Sequence, residues 1–149
     1  MVIKNEEKHG VLLMADGSQK KICDIAIGDR IRSLNDIALV DNVWEDLEIV
    51  PMVRITVENK ELLLTRYQPV QTDRGMIVAC ELEEGMQVLT REHGYVAITQ
   101  ISEELYTDRV PKFDIHLESE DRLDQHIMYI SGVAVGDYII ENYMEYIIQ

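Results

Sequence analysis

The chain has 149 residues, 46% of them hydrophobic, which is enough for one ordinary domain with its own core. Its apolar residues fall in short runs, well below the roughly 20 that span a bilayer, so we expect no membrane segment. The 28 acidic and 14 basic residues give a net charge of −14, which repels phosphate backbones and argues against a nucleic-acid partner. The first ten residues lack the apolar stretch of a secretory signal, and two cysteines are too few for a secreted disulfide scaffold. We therefore expect a cytoplasmic domain with reduced thiols.

Short apolar runs separated by turn signals predict a mainly β chain. Val11–Met14 is apolar and is followed by Ala15–Ser18, whose Asp-Gly pair is typical of a turn. A long β-rich region extends over residues 37–65, with alternation that gives one mostly apolar face. Residues 58–61 are polar and predict a hairpin turn within this region.

The second half continues in the same way. Strands are predicted around residues 110–117 and 127–130, and the best helix candidate is Glu141–Ile148. Between the two strands, residues 118–124 form the densest acidic stretch. Its spacing lacks the glycine and alternating oxygen ligands of a calcium-binding loop, so we expect no metal site there.

An internal repeat with an offset of 57 residues is the most informative feature. Residues 23–33 match residues 80–90 without a gap. Each copy begins with a cysteine, an acidic residue and an aliphatic residue, and a glycine stands three residues after the aliphatic one. We interpret each glycine as a tight turn that returns the chain to a sheet, so that two copies of one unit fold together. Cys23 and Cys80 are then equivalent, and we interpret both as small apolar core residues, because no base can be assigned to either.

These patterns resemble the Hint (Hedgehog/intein) family, which comprises inteins, Hedgehog autoprocessing domains and bacterial intein-like domains. The resemblance covers most of the chain and is carried, in order, by Val11–Ser18, Ile25–Ile31, Thr65–Val70, Ala79–Thr90, Phe113–Ile115 and His126–Val135. It implies an all-β, pseudo-two-fold horseshoe of short strands, to which a short C-terminal helix is added. The implied organisation is an N-terminal segment over residues 1–10, a Hint-like domain over 11–137 and an extension over 138–149.

The resemblance also locates the chemistry of self-processing, and this chain departs from it at each step. Family members begin with Cys or Ser, which attacks its own preceding carbonyl; this position falls near Asn5, and residues 1–10 contain neither residue. A central His acts on the leaving amide, and Gln68 occupies its place. An amide donates a hydrogen bond but does not exchange a proton at a useful pKa.

The last family step is cyclisation of a terminal Asn, assisted by the preceding His. Here Gly136 occupies the position of the helper His, so no helper is present. Asp137 would cyclise only slowly, and Tyr138 is a poor acyl acceptor. Residues 133–139 also mirror residues 25–31, so we prefer to interpret them as another glycine turn that leads to a strand.

Thr65, Asp114 and His126 match family positions around the former cleavage site. They are either a residual polar pocket or, as we prefer, a strand residue, a turn or cap acid, and a hydrogen-bonded, partly buried ring.

The sequence thus predicts a catalytically degenerate Hint-like domain that serves as a binding or structural module. Its partner would be an unknown protein or its parent polypeptide, and no cofactor or metal is implied. The residual former-site candidates are Thr65, Gln68, Asp114, His126 and Asp137. Two alternatives stay open: residual self-cleavage at Asp137–Tyr138, and an unrelated ligand-binding or enzymatic role on a β scaffold.

Overall fold

The structure, a computed structural model, describes residues 9–105 and 109–148, so Asn5 lies outside the described residues. Fourteen strands and one α-helix lie within the described ranges. In chain order they are β1 (Val11–Leu13), β2 (Gln19–Lys21), β3 (Arg30–Arg32), β4 (Ile37–Leu47), β5 (Met52–Val57), β6 (Lys60–Leu64), β7 (Pro69–Thr72), β8 (Gly75–Val78), β9 (Gln87–Thr90), β10 (Gly94–Ala97), β11 (Gln100–Glu104), β12 (Arg109–Leu117), β13 (Ile127–Ile130), β14 (Val133–Gly136) and α1 (Tyr138–Ile148). The expected all-β fold with a short C-terminal helix is confirmed.

The strands form three antiparallel sheets. The largest has the order β10-β9-β7-β14-β13-β1-β2, with β8 added beside β7. The other two are three-stranded, with the orders β11-β5-β6 and β12-β4-β3. The turn predicted over residues 58–61 is present but shorter, because Lys60 and Glu61 already belong to β6. Only Glu58 and Asn59 lie between β5 and β6, and both have a positive φ, as a two-residue hairpin turn requires.

The 57-residue repeat is visible as two matching structural units. Each unit has a single 3-10 turn, Ile22–Asp24 in the first copy and Ala79–Glu81 in the second. A glycine follows at φ +93° (Gly28) or +90° (Gly85), and its N–H donates to a carbonyl of a later segment at 2.9 Å in both copies. The left-handed backbone at this point explains why glycine recurs in the repeat.

The two repeated cysteines are equivalent in position but not in environment. Each is the middle residue of its 3-10 turn. Cys80 is half-buried and packs against the main core, and this burial raises the pKa of its thiol despite the opposing charge of Arg66. Cys23 is exposed, so the interpretation of Cys23 as a core residue is wrong. In the second copy the N–H of Cys80 donates to the carbonyl of Arg66 at 2.9 Å, so a neighbouring segment lies against this turn.

Long strands from one half of the chain pair with strands from the other half. β4 pairs with β12 along nearly its whole length, with a bulge at Asp114/Ile115, and β5 pairs with β11. The main core therefore receives buried side chains from both halves, among them Leu12, Ile31, Ile55, Val88 and Ile115. This shared core explains why the apolar runs are short and distributed along the whole chain.

The C-terminal segment differs from the prediction of a glycine turn that leads to a strand. Residues 133–136 are strand β14, and the chain continues directly into α1, so that prediction is wrong. The predicted helix over Glu141–Ile148 is present and begins three residues earlier, at Tyr138. The reason is a cap: a side-chain oxygen of Asp137 accepts a hydrogen bond from the backbone N–H of Ile140. No described helix is long and apolar enough to cross a membrane.

Candidate functional site

Asp137 lies at the junction of β14 and α1 and is completely buried. Its Oδ1 accepts from the N–H of Ile140 at 3.1 Å, as the cap of the helix. Its Oδ2 accepts from the N–H of Ile115 at 3.0 Å and contacts Nδ1 of His126 at 3.0 Å. Its carbonyl oxygen accepts from the N–H of Glu141 at 3.0 Å. Both carboxylate oxygens are thus committed to holding strand β12, His126 and the first turn of α1 together.

His126 is held between two carboxylates and is 3% exposed. Its Nε2 lies 2.7 Å from Oδ1 of Asp121, opposite the contact of Nδ1 with Asp137. Both ring nitrogens face acceptors, so both donate and the ring is an imidazolium. Burial opposes this charge, but hydrogen bonds and charges of Asp137 and Asp121 outweigh it and raise the pKa of His126 above its usual value.

Asp121, which was not predicted as a site residue, is the second carboxylate that holds His126. Its carboxylate also accepts from the N–H of Leu117 at 3.2 Å. Partial burial works against ionisation, but the hydrogen bonds from Leu117 and His126 lower the pKa of Asp121 below its usual value. The Asp121–His126–Asp137 series, in which an imidazolium bridges two carboxylates, is called the bridged triad below.

Asp114 lies close to the bridged triad but makes no hydrogen bond with it. It belongs to strand β12, at the bulge, so the expectation of a turn or cap acid is wrong. Its Oδ1 is buried and makes no hydrogen bond within the described part of the chain. Burial and then the charges of Asp137 and Asp41 raise the pKa of Asp114, against the opposing charge of His126. Its charged form is therefore disfavoured.

Gln68, one of the candidate residues, contacts the backbone beside Asp137. Its Nε2 donates to the carbonyl oxygen of Gly136 at 2.9 Å. Gln68 directly precedes β7, and Val70 of β7 pairs with Val135 of β14. Gln68 thus fixes the peptide unit between Gly136 and Asp137.

The first turn of α1 covers the remaining former-site candidate, Thr65. Thr65 directly follows β6, and its hydroxyl donates to Glu141 of α1 at 2.8 Å in a buried contact. Two small cavities border Thr65 and Glu141, one of about 40 Å³ beside Gln68 and one of about 110 Å³ beside Tyr67. Both are smaller than the roughly 300–1,000 Å³ of small-molecule sites.

A cluster of charged and aromatic side chains that the sequence did not indicate anchors the same turn of the helix. Nζ of Lys112 lies 2.9 Å from Glu48 and 3.9 Å from Glu141. It also lies 5.2 Å from the ring centre of Tyr138, and Trp44 contacts that ring edge-on at 4.9 Å. Burial lowers the pKa of Lys112, but the carboxylates of Glu48 and Glu141 have the larger effect. The pKa of Lys112 is therefore raised overall.

Gly136 is closely surrounded by side chains of other segments. A Cβ built on this residue would meet Met76 and Pro69 at 3.1 Å and Ile140 at 3.2 Å. We expect Gly136→Ala to destabilise the fold by about 1–3 kcal/mol through overpacking. Urea unfolding measures this loss. Gly85→Ala is the contrast, because a Cβ at Gly85 meets open space and any loss of stability there comes from the positive φ. A neutral Gly136→Ala would show that α1 moves aside easily.

The acidic stretch over residues 118–124 is used in pairing rather than left as a free cluster. Glu118 pairs with Arg30 at 2.7 Å, and Asp124 pairs with Arg122 at 3.2 Å. Asp121 belongs to the bridged triad. The stretch therefore ties the β12–β13 connection to β3 and to the junction of β14 and α1.

Comparison with known proteins places the fold. No protein-family model matches the chain, and no curated protein does either. Solved structures do match. The gp41-1 intein shares 23% identity at a TM-score of 0.69, covering 87% of this chain and 95% of that chain. A bacterial intein-like domain from Clostridium thermocellum shares 16% identity at a TM-score of 0.69, covering 85% and 93%. A DnaB intein from Synechocystis sp. shares 17% identity at a TM-score of 0.68, covering 87% and 95%.

At these identities the likeness establishes architecture rather than activity. It spans nearly the whole of the matched chains, and it agrees with the two repeated units and the exchange of strands between halves. The chain therefore has the Hint fold of inteins and bacterial intein-like domains.

Proposed function

We propose that this chain is a catalytically degenerate Hint-fold module that does not cleave itself and that serves as a binding or structural unit. Its partner is another protein or the polypeptide to which it belongs. In this proposal the Hint-like domain over residues 11–137 is completed by α1, whose first turn occupies the cleft in which relatives of this fold carry out self-processing.

The carboxylate of Asp137 is the single observation that carries the proposal. Cleavage after Asp137 would require one of its oxygens to attack its own carbonyl carbon, form a cyclic anhydride and expel the nitrogen of Tyr138. Oδ1 is held by Ile140, and Oδ2 by Ile115 and His126. Attack would break the cap of α1 and leave the imidazolium of His126 with one carboxylate fewer, so the reactive geometry is strongly disfavoured.

The two neighbouring positions support the same conclusion. Gln68 donates a hydrogen bond to the carbonyl of Gly136, which fixes the peptide unit without supplying an acid or a base. Gly136 itself is packed against Pro69, Met76 and Ile140, so any side chain added there would have to displace these neighbours. The sequence of residues 1–10 contains no Cys or Ser to start the reaction from the other end.

Intact-mass spectrometry tests the proposal. We expect the mass of the purified chain to remain unchanged over several days at neutral pH, with or without an added thiol. Fragments that correspond to residues 1–137 and 138–149 would instead support residual self-cleavage and overturn the proposal.

Asp137→Asn provides a stringent companion experiment, because it restores the residue that cyclises in the family. An amide oxygen can still cap the helix, and the helper at Gly136 is still missing, so we expect this variant also to remain intact. If Asp137→Asn were cleaved while Asp137→Ala stayed intact, the result would show that α1 does not close the cleft.

A further inference from the structure

A second cavity lies at the opposite end of β14 from Gly136, where four hairpins of the chain meet. It has a volume of about 410 Å³, within the range of small-molecule sites. The hairpins are β1–β2, β5–β6, β9–β10 and β13–β14, and we call the space between them the four-hairpin cavity. Residues that line it include Gly17, Glu58, Lys60, Arg91, Tyr129 and Ser131.

The hairpins around the cavity are tied to one another. Nδ1 of His93 lies 2.6 Å from a carboxylate oxygen of Glu58, which joins the β9–β10 and β5–β6 hairpins. The N–H of Arg91 donates to the carbonyl of Gly132 at 2.8 Å, which joins β9–β10 to β13–β14. The cavity is therefore built before any ligand arrives, as preorganised binding sites are.

Two cations at this cavity have no ionic partner, although the chain carries twice as many acids as bases. Neither Lys60 nor Arg91 forms an ion pair within the described part of the chain. Glu92 also lines the cavity and has no ion pair among the described residues. The other two acids at the cavity already have partners, since Glu58 contacts His93 and Glu61 contacts Arg54. The cavity thus has two positive groups and one negative group at its exposed edge, none of them in an ion pair within the described residues.

Tyr129 adds a hydroxyl to the cavity. The residue as a whole is 5% exposed and lines the cavity, and its hydroxyl makes no hydrogen bond within the described ranges. The hydroxyl oxygen itself is accessible from the cavity, so a ligand there can accept a hydrogen bond from it. Burial raises the pKa of Tyr129, which keeps the hydroxyl protonated as a donor, and the guanidinium of Arg91 lies 5.9 Å from its ring centre. The wall is mixed, with these polar groups beside apolar residues that include Val11, Leu13, Val57 and Val133.

We propose that the four-hairpin cavity binds a small zwitterion with an apolar side chain, an α-amino acid or a dipeptide. Its carboxylate lies between Lys60 and Arg91 with a hydrogen bond from Tyr129, and its ammonium group lies at Glu92. A simple anion is disfavoured by the net charge of −14, whereas a ligand that carries both signs satisfies all three free ionic groups.

Titration by heteronuclear NMR and calorimetry, with leucine and leucyl-leucine as probes, tests the proposal. Amide shifts are expected at residues 58–61, 90–92 and 131–132. Stronger binding of one probe distinguishes the free amino acid from the dipeptide. N-acetylleucine lacks the ammonium group and leucinamide lacks the carboxylate, so each is expected to bind about tenfold more weakly than leucine.

Variants separate this site from a nonspecific charge effect. Lys60→Met is expected to weaken binding by about tenfold, and Tyr129→Phe by about fivefold, while Arg74→Met, an exposed cation away from the cavity, leaves it unchanged. Tyr129→Phe removes only the hydroxyl, so it preserves the packing of the ring. Absence of binding by both probes, equal binding of N-acetylleucine, or indifference to both Lys60→Met and Tyr129→Phe would overturn the proposal. These results are independent of whether the chain cleaves itself.

Discussion

Asp137→Ala is expected to lower the free energy of unfolding by about 3–5 kcal/mol, the range for breaking a buried ion pair. The substitution leaves the buried imidazolium of His126 with only the partly exposed Asp121, removes the acceptor for Ile115 and deletes the cap of α1. Urea unfolding provides the measurement, and Trp44 is a suitable fluorescent probe because its ring contacts Tyr138 in the first turn of the helix.

Asp124→Ala is the matched control for this substitution. Asp124 is exposed and pairs with exposed Arg122, so we expect a change of less than about 1 kcal/mol. Asp137→Asn should fall between the two, because an amide oxygen can cap Ile140 but carries no charge for His126. A loss for Asp137→Ala as small as that of Asp124→Ala would mean that the bridged triad does not stabilise the junction.

Stability is expected to fall on both sides of a pH window that the bridged triad defines. The pKa of His126 is raised, so its contribution is complete below the ordinary value of 6.5 and is lost as pH rises through the folded-state pKa. The pKa of Asp121 is lowered, so its contribution is present above 3.8 and is lost as pH falls through the folded-state pKa. Asp114 has the opposite effect to Asp121: its pKa is raised above 3.8, so it lowers stability as pH rises from 3.8 through its folded-state pKa. For His126 and Asp121 together, stability is greatest between about pH 4 and 6.5.

His126→Asn tests the origin of the alkaline decline. We expect it to cost about 3 kcal/mol at pH 6, because Asp137 loses its cationic partner, and to flatten the dependence above pH 6.5. His116→Asn is the control: His116 is 40% exposed and pairs with Asp41 on the surface, so the slope should remain. Denaturant midpoints measured from pH 4 to 9 provide the comparison. An unchanged slope in His126→Asn would assign the pH dependence to other groups.

The repeat was the part of the fold that the sequence could predict, because its cause is local. Gly28 and Gly85 stand where the backbone takes a positive φ, and that requirement selects glycine in both copies. The strands around residues 110–117 and 127–130 were likewise marked by β-branched and aromatic residues.

What the sequence could not predict depends on contacts between distant segments. The interpretation of residues 133–139 as a glycine turn was wrong because Asp137 caps a helix, and the space around Gly136 is filled by other segments. Lys112 was missed as a site residue for a similar reason, because its partners Glu48 and Glu141 lie on distant segments. Asp121 was missed for a different reason: its partners Leu117 and His126 are only four and five residues away, but contacts within an irregular connection follow no regular spacing.

The pairing of β4 with β12 has a consequence for how this chain reaches its native state. Partners in this ladder are about 60–80 residues apart in the sequence, so the intervening chain must close into a large loop before the ladder yields its hydrogen bonds. Such topologies have a high contact order and fold on the millisecond-to-second scale. Neither half can complete this ladder alone, so its formation requires segments from both halves.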